Sequence, residues 1–281
     1  MRKNLFFLLG ALLMLLPAIC CVSFTPRLNI QKVFPRKSFL FVEKNTTFFQ
    51  CGKLQCKKVF KGGMTGSASV IYHNKKRSFV LTAAHLVYME PIHPLHKLSL
   101  EAEGGELKSV NSWTLTDING KKYKSIKVLS WSDKTDIAIL SIAKINIPAL
   151  DVAPAPPEIG DKLYNVGAPH GLFAQNMVLF YEGRFLGYIK DEKMMGTDKR
   201  VAITSVPVAG GSSGSPLVNR DGEIVGMVSA VDRGFHHISM SPTWKQIHDF
   251  ANKHLIKHGY GPYVVPEKPT SRPSERPPLR R

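Results

Sequence analysis

Ala209-Gly210-Gly211-Ser212-Ser213-Gly214-Ser215-Pro216-Leu217-Val218-Asn219 is the stretch on which the reading of this chain turns. Three glycines and three serines lie between two apolar runs, residues 201–208 and 224–231. The composition fits a plain surface loop. It also fits a nucleophile loop, in which glycines let backbone N–H groups converge on one point while a serine hydroxyl is held beside them. A serine becomes a nucleophile only with a base beside it, and the base needs an orienting acid. The reading therefore depends on a histidine and an aspartate elsewhere in the chain.

Upstream, the pattern is that of short strands. Residues 68–72 and 78–82 alternate around the polar turn His73-Asn74-Lys75-Lys76-Arg77, and Ala83-Ala84-His85 follows directly. A strand is expected at 98–102. A hairpin is expected from 112–117 through Ile118-Asn119-Gly120 to 122–129, and a further strand at 137–142. The proline-rich segment 148–160 reads as a crossing between two halves. Beyond it come strands at 162–166, 177–187, 201–208, 217–218 and 223–231, with Asn219-Arg220-Asp221-Gly222 as a hairpin turn. Residues 243–258 alone have helical spacing, placing Trp244, Ile247, Phe250, Ala251 and Leu255 on one face. The expected fold class is all-β: two antiparallel six-stranded-type β-barrels with a C-terminal helix. Residues 61–258 would form the domain, with barrel 1 at about 61–147, barrel 2 at about 158–240 and the helix at 243–258. Residues 23–60 are expected to be an irregular lead-in with one or two strands, and 259–281 a disordered Pro/Arg-rich tail.

His85 closes an apolar strand and Asp136 opens one. A carboxylate beside four apolar residues needs a specific partner if it is buried. His85, Asp136 and Ser213 thus fall in the order His–Asp–Ser, each at a strand end or in a glycine loop. In this the chain resembles the trypsin-fold serine peptidases, and most nearly their HtrA (Deg) branch. The resemblance rests on Thr82-Ala83-Ala84-His85, on Lys134-Thr135-Asp136-Ile137-Ala138-Ile139-Leu140 and on Gly211-Ser212-Ser213-Gly214-Ser215-Pro216-Leu217-Val218-Asn219. Gly66-Ser67-Ala68-Ser69-Val70-Ile71, Gly160-Asp161, Gly167-Ala168-Pro169 and Asp221-Gly222-Glu223-Ile224-Val225-Gly226 add weaker support.

The resemblance implies that Ser213 is the nucleophile, His85 the general base and then acid, and Asp136 the orienter of the imidazole. It implies an oxyanion hole of Gly211, Ser212 and Ser213, with the N–H groups of Gly211 and Ser213 as donors. It places the specificity pocket at Pro207 and Val208, walled by Ser229, Ala230 and Val231, with Phe235 narrowing one side and Asp232 the nearest carboxylate. Apolar lining of that kind favours small or medium aliphatic side chains before the cut bond over Lys or Arg. The chain departs from the family in three respects. Ser212 stands where digestive trypsins carry an Asp for a freed N-terminus, and no activation site precedes the domain. Gly210-Gly211 is more flexible than the family's usual pair, so the hole need not be preformed. Too few residues follow the helix for a PDZ domain.

Competing readings are an α/β-hydrolase using Ser212 with Asp232 and His236 or His237, and a catalytically silent binding or scaffold protein on the same fold. Gly-x-Ser-x-Gly chemistry needs a strand before the serine and a helix after it, whereas Pro216 and a hairpin follow here. A formal net charge of +17 suggests nucleic acid as a partner. The lysines are scattered, however, and no recognition motif accompanies them, so no specific nucleic-acid partner is expected. A polypeptide is the expected substrate, without cofactor or metal. Arg2 and Lys3 followed by an apolar run mark residues 1–22 as a signal peptide or N-terminal anchor, with membrane association through 5–22 and export as the destination. In an exported chain Cys51 and Cys56 form either a local disulfide or two partly buried thiols, and the disulfide is the expectation.

Overall fold

The computed structural model describes residues 35–53, 55–102, 106–191, 199–231 and 237–260. The leader, most of the tail, Asp232, Phe235 and His236 lie outside the described residues. Among the described residues fourteen strands form two curled antiparallel sheets of seven. The first sheet is built from β1 (Phe39–Cys51), β2 (Cys56–His73), β3 (Arg77–Ala83), β4 (Glu106–Asp117), β5 (Lys122–Tyr123), β6 (Lys127–Ser132) and β7 (Ile137–Ala143), in the order β5-β4-β1-β2-β3-β7-β6. The second is built from β8 (Lys162–Gly167), β9 (Leu179–Asp191), β10 (Lys199–Thr204), β11 (Pro216–Val218), β12 (Ile224–Met227), β13 (Ala230–Val231) and β14 (Ser239–Pro242), in the order β12-β11-β8-β9-β10-β14-β13. The two-part all-β architecture matches the expectation. Each sheet has seven strands: in the first, β1 joins from the lead-in and the expected segment 122–129 breaks into β5 and β6, and in the second, 223–231 breaks into β12 and β13 and β14 is added.

The lead-in 23–60, expected to hold one or two strands, contributes β1 and the start of β2, which pair from Phe39↔Ser69 to Cys51↔Cys56 with a register shift at Phe48/Phe49. The inward face of β1 carries Lys44 and Thr46 beside Phe48, so its alternation does not look apolar. The expected strand 98–102 is instead the end of α2 (Pro94–Ala102), which follows the single turn α1 (His85–Tyr88). Proline suits the first helical position, where its missing N–H costs nothing. Leu95 and Leu98 are exposed and only Leu100 is buried, so the alternating leucines do not mark a core strand.

The crossing segment is bonded to both sheets: Leu150 donates to the Val70 carbonyl and Ala153 to that of Ile224. The core joins Leu40, Val70, Leu81, Ile139 and Leu140 of the first sheet to Val218 and Met227 of the second. The terminal helix α3 (Trp244–Leu255) seals it with Ile247, Ala251 and Leu255. A capping box starts this helix. Thr243 Oγ1 accepts from the Gln246 N–H, and Gln246 Oε1 accepts from the Thr243 N–H. Tyr260, expected in the disordered tail, is buried with its ring edge-on to Tyr72. At the far end of the β1–β2 hairpin, Cys51 and Cys56 are joined, with their sulfurs 2.07 Å apart.

Candidate active site

Asp136 sits in the loop before β7 with a positive φ of 53°. A left-handed backbone is uncommon for a residue with a side chain, and aspartate tolerates it better than most. That turn brings both its carbonyl and its carboxylate under α1. The carbonyl accepts from the Ala84 N–H at 3.1 Å, and Oδ1 accepts from the His85 N–H at 2.8 Å. Nδ1 of the His85 ring lies 2.9 Å from Oδ2 and 3.1 Å from Oδ1. A hydroxyl from the second sheet, Ser229 Oγ, also donates to Oδ2. The carboxylate is buried, with a side-chain exposure of 5%, yet it is supplied with donors on several sides. The imidazole side chain is 19% exposed. Carboxylate contact at Nδ1 fixes the tautomer in which the proton rests there and Nε2 is the acceptor.

The glycine-rich loop folds into two successive turns. Ser212 donates its N–H to the Ala209 carbonyl at 2.9 Å, and Ser215 donates to the Ser212 carbonyl at the same distance. Gly211 and Gly214 take φ of 94° and 85°. A Cβ on Gly211 would collide with the Ala168 carbonyl oxygen, and one on Gly214 with the Ser67 carbonyl oxygen. These two glycines are therefore demanded by both backbone angle and close approach.

Ser67 of β2, fully buried, grips the loop from the first sheet. Its N–H donates to the Ser213 carbonyl at 2.8 Å, and its Oγ donates to the Gly211 carbonyl at 3.0 Å while accepting from the Ala168 N–H at 3.2 Å. Thr82 Oγ1 holds the Ser67 carbonyl at 2.8 Å. From the second sheet the His170 N–H donates to the Gly210 carbonyl, and the His170 backbone is itself left-handed with φ 54°. A peptide whose carbonyl is tied to one side directs the following N–H to the other. Among the described residues the N–H groups of Gly211 and Ser213 donate to no protein acceptor.

Ser213 is half-buried and borders a cleft of about 90 Å³ lined by Val208, Ala209, Gly210, Val228, Ser229, Ala230 and Val231. Pro207, expected as its floor, is not among the lining residues; the wall is made by residues 228–231, the end of which is β13, and by Val208. The described lining contains no charged side chain. Ser212 is fully buried with its Oγ turned to the Ala209 N–H, and β11 follows the loop where an α/β-hydrolase requires a helix. Among the described residues no hydrogen bond joins Ser213 Oγ to His85 Nε2, as is common before substrate closes such a site. No cluster of candidate metal ligands occurs among the described residues. Tyr88, on α1, has its hydroxyl pushed up by burial and then by the Asp136 and Asp133 carboxylates.

The sequence reading missed Ser67, His170 and the bond from Ser229 to Asp136. Ser67 lies inside the quoted Gly66-Ser67-Ala68, but nothing local marks a serine that bonds a loop more than 140 positions away.

A family model, the trypsin-like peptidase domain, matches residues 66–227. The chain is 34% identical over 120 residues to a probable periplasmic serine endoprotease, DegP-like, of Chlamydia muridarum, covering 41% of this chain and 22% of that protein. It is 33% identical over 120 residues to the protein of the same description in Chlamydia pneumoniae, covering 41% and 23%. The chain thus spans about a fifth of the length of these curated relatives. Among solved structures, the Rv3671c protease of M. tuberculosis in its active form superposes with a TM-score of 0.55 at 18% identity, over 86% of this chain and 90% of that one. A serine endoprotease from Yersinia pestis superposes at 0.53 and 18% identity, over 82% and 66%. At that identity the two structures speak for the fold.

Proposed function

This chain belongs to the trypsin-like peptidase domain family, and on that premise we propose that it is an exported serine endopeptidase with Ser213, His85 and Asp136 as its catalytic residues. The observation that carries the reading is the pairing of His85 Nδ1 with a buried, multiply bonded Asp136, together with a Ser213 loop whose Gly211 and Ser213 N–H groups meet no acceptor among the described residues.

In this reading Ser213 Oγ attacks the peptide carbonyl as His85 Nε2 takes its proton. The carbonyl π electrons move to oxygen, and the Gly211 and Ser213 N–H groups receive the oxyanion. His85 then passes the proton to the leaving amine as the C–N bond breaks, and water repeats the sequence on the acyl-enzyme. Asp136 keeps the proton on Nδ1 and stabilises the imidazolium. Val208, Val228, Ala230 and Val231 offer the residue before the cut an apolar pocket of modest size. Placing an unpaired ammonium or guanidinium there costs several kcal/mol, so aliphatic side chains are favoured. Export is supported by the leader-like residues 1–22 and by the chain's similarity to probable periplasmic endoproteases.

Incubation with a fluorophosphonate probe followed by peptide mapping tests the assignment. Label is expected on Ser213, lost in Ser213→Ala and retained in Ser212→Ala. Label on Ser212, or none on a folded sample, rejects it. Cleavage of a denatured-protein peptide library is expected after Val, Ala, Leu or Met; dominant cleavage after Lys or Arg rejects the pocket.

A further inference from the structure

Lys44 is the one buried Lys or Arg among the described residues, and the mechanism does not use it. The residue is 1% exposed and lies in the middle of β1, between Met64 of β2 and Trp113 of β4 in register. Its Nζ donates to the Val87 carbonyl at 2.8 Å and to the Met89 carbonyl at 2.6 Å, and sits 5.9 Å from the centre of the Trp113 ring. Both carbonyls belong to the end of α1, the single turn that His85 begins. A helix this short cannot hold itself, and its last carbonyls have no partner within it.

The two ends of this turn are fastened differently. At the start, the Asp136 carbonyl and carboxylate take the Ala84 and His85 N–H groups. At the end, the ammonium takes the carbonyls. The backbone just beyond also lies close against β2, where a Cβ on Gly62 would collide with the Pro91 carbonyl oxygen. We infer that Lys44 is a positioning residue for catalysis: its buried ammonium fastens the C-terminal end of α1 and thereby fixes the height and tilt of the His85 imidazole over Asp136 and Ser213. The inference rests on the proposed role of His85.

The charge is held at a cost. Burial pulls the Lys44 ammonium below the usual lysine range, partly offset by Glu90, which itself is engaged by Lys97 at 2.8 Å and by Ser109. A lysine whose folded pKa is lowered binds fewer protons folded than unfolded between its folded and ordinary values. Stability therefore rises with pH through that window, and at neutral pH the charge opposes folding. A residue kept only for stability would be better apolar there, since replacing a buried charge by a hydrophobe of similar volume is often neutral or stabilising.

The test is Lys44→Met in the full chain, read by steady-state kinetics on a peptide substrate, by melting temperature and by the low-field proton resonance of His85 Nδ1–H. The expected result is a kcat lower by about tenfold to a hundredfold, as a displaced catalytic group produces. KM should stay within twofold, the melting temperature should be unchanged or raised, and the His85 resonance should move. The wild type is also expected to lose kcat at alkaline pH below the ordinary lysine range while its fold persists, a limb absent from the Lys44→Met variant. Unchanged kcat in that variant, with or without a lower melting temperature, overturns the inference. If the variant does not fold, the wild type alone decides, because no alkaline loss before unfolding overturns it as well. Should wild type neither cleave nor take a phosphonate label, the function reading fails separately, and an unmoved His85 resonance in the variant still counts against Lys44.

Discussion

The two sides of the cleft are held by different means. On the first sheet, His85 is fixed by side chains: the Asp136 carboxylate at one end of its turn and the Lys44 ammonium at the other. On the second, the loop bearing Ser213 is fixed largely by backbone. Two left-handed glycines, the His170 N–H and the Ser67 N–H set its path, and the side chains of Ser67 and Asn165 grip it, the latter at Ser215 and Pro216. The difference teaches where each half is vulnerable. In the proposed mechanism the first half transfers the proton and depends on charges, so it is expected to respond to pH and to isosteric changes that leave shape intact. The second half would receive the oxyanion and depends on peptide orientation, so it is expected to respond to a single added methyl group.

Asp136→Asn is the sharpest way to break the first half, with the larger effect. The amide matches the carboxylate in shape but presents an N–H to the imidazole or to the His85 N–H and Ser229 hydroxyl donors. Its neutral group also favours the tautomer with the proton on Nε2, which cannot accept from Ser213. A loss of about 10⁴ in kcat is expected, with KM little changed and the fold kept. A loss below tenfold would show that Asp136 only anchors the backbone and that the side-chain half is not electrostatic.

Gly211→Ala tests the backbone half at lower amplitude. At φ 94° and against the Ala168 carbonyl oxygen, the methyl group forces the Gly210–Gly211 peptide to rotate. Loss of one aligned oxyanion donor lowers kcat by about 10²–10³. The contrast lies in a second measurement. The His85 Nδ1–H resonance should stay where it is in wild type, because this variant leaves the proton-transfer half untouched. A resonance that moves as much as in Lys44→Met would dissolve the distinction between the halves.

The sequence made the three central residues visible because each lies at a junction that hydropathy can read: strand end, strand start, glycine loop. Their supports were hidden for one physical reason: they are tertiary contacts of residues whose local context is unremarkable. Lys44 and Thr46 occupy inward positions of β1, and Thr46 Oγ1 bonds Asn111 at 2.6 Å inside the sheet. A pattern of apolar residues cannot register an inward face satisfied by hydrogen bonds, so β1 read as a lead-in. Ser229 was noticed as a small pocket wall, yet its hydroxyl reaches an aspartate 93 positions away. At 98–102 the leucine alternation suggested a strand, whereas Pro94 and the exposure of Leu95 and Leu98 belong to a surface helix.

The smallest effect on catalysis is expected at the far end of the same β1 that carries Lys44. Cys51 and Cys56 close the hairpin at its tip, seven residues along the strand from the lysine, beside the Gly52 N–H to Gln55 carbonyl turn. A loop this short leaves little chain entropy to remove, so the disulfide contributes about 2 kcal/mol at most. Between it and the site lie paired backbones of β1, β2 and β4, and neither half of the cleft touches the tip. Cys51→Ser with Cys56→Ser is therefore expected to lower the melting temperature by a few degrees and leave kcat within about twofold of wild type. Non-reduced peptide mass spectrometry of exported wild type should show the linked pair, and two freely alkylated cysteines would remove the premise. If the double variant instead lost activity to the extent of Lys44→Met, the strand would be transmitting strain along its length. Lys44 would then act through β1 as a whole rather than through the two carbonyls at the end of α1.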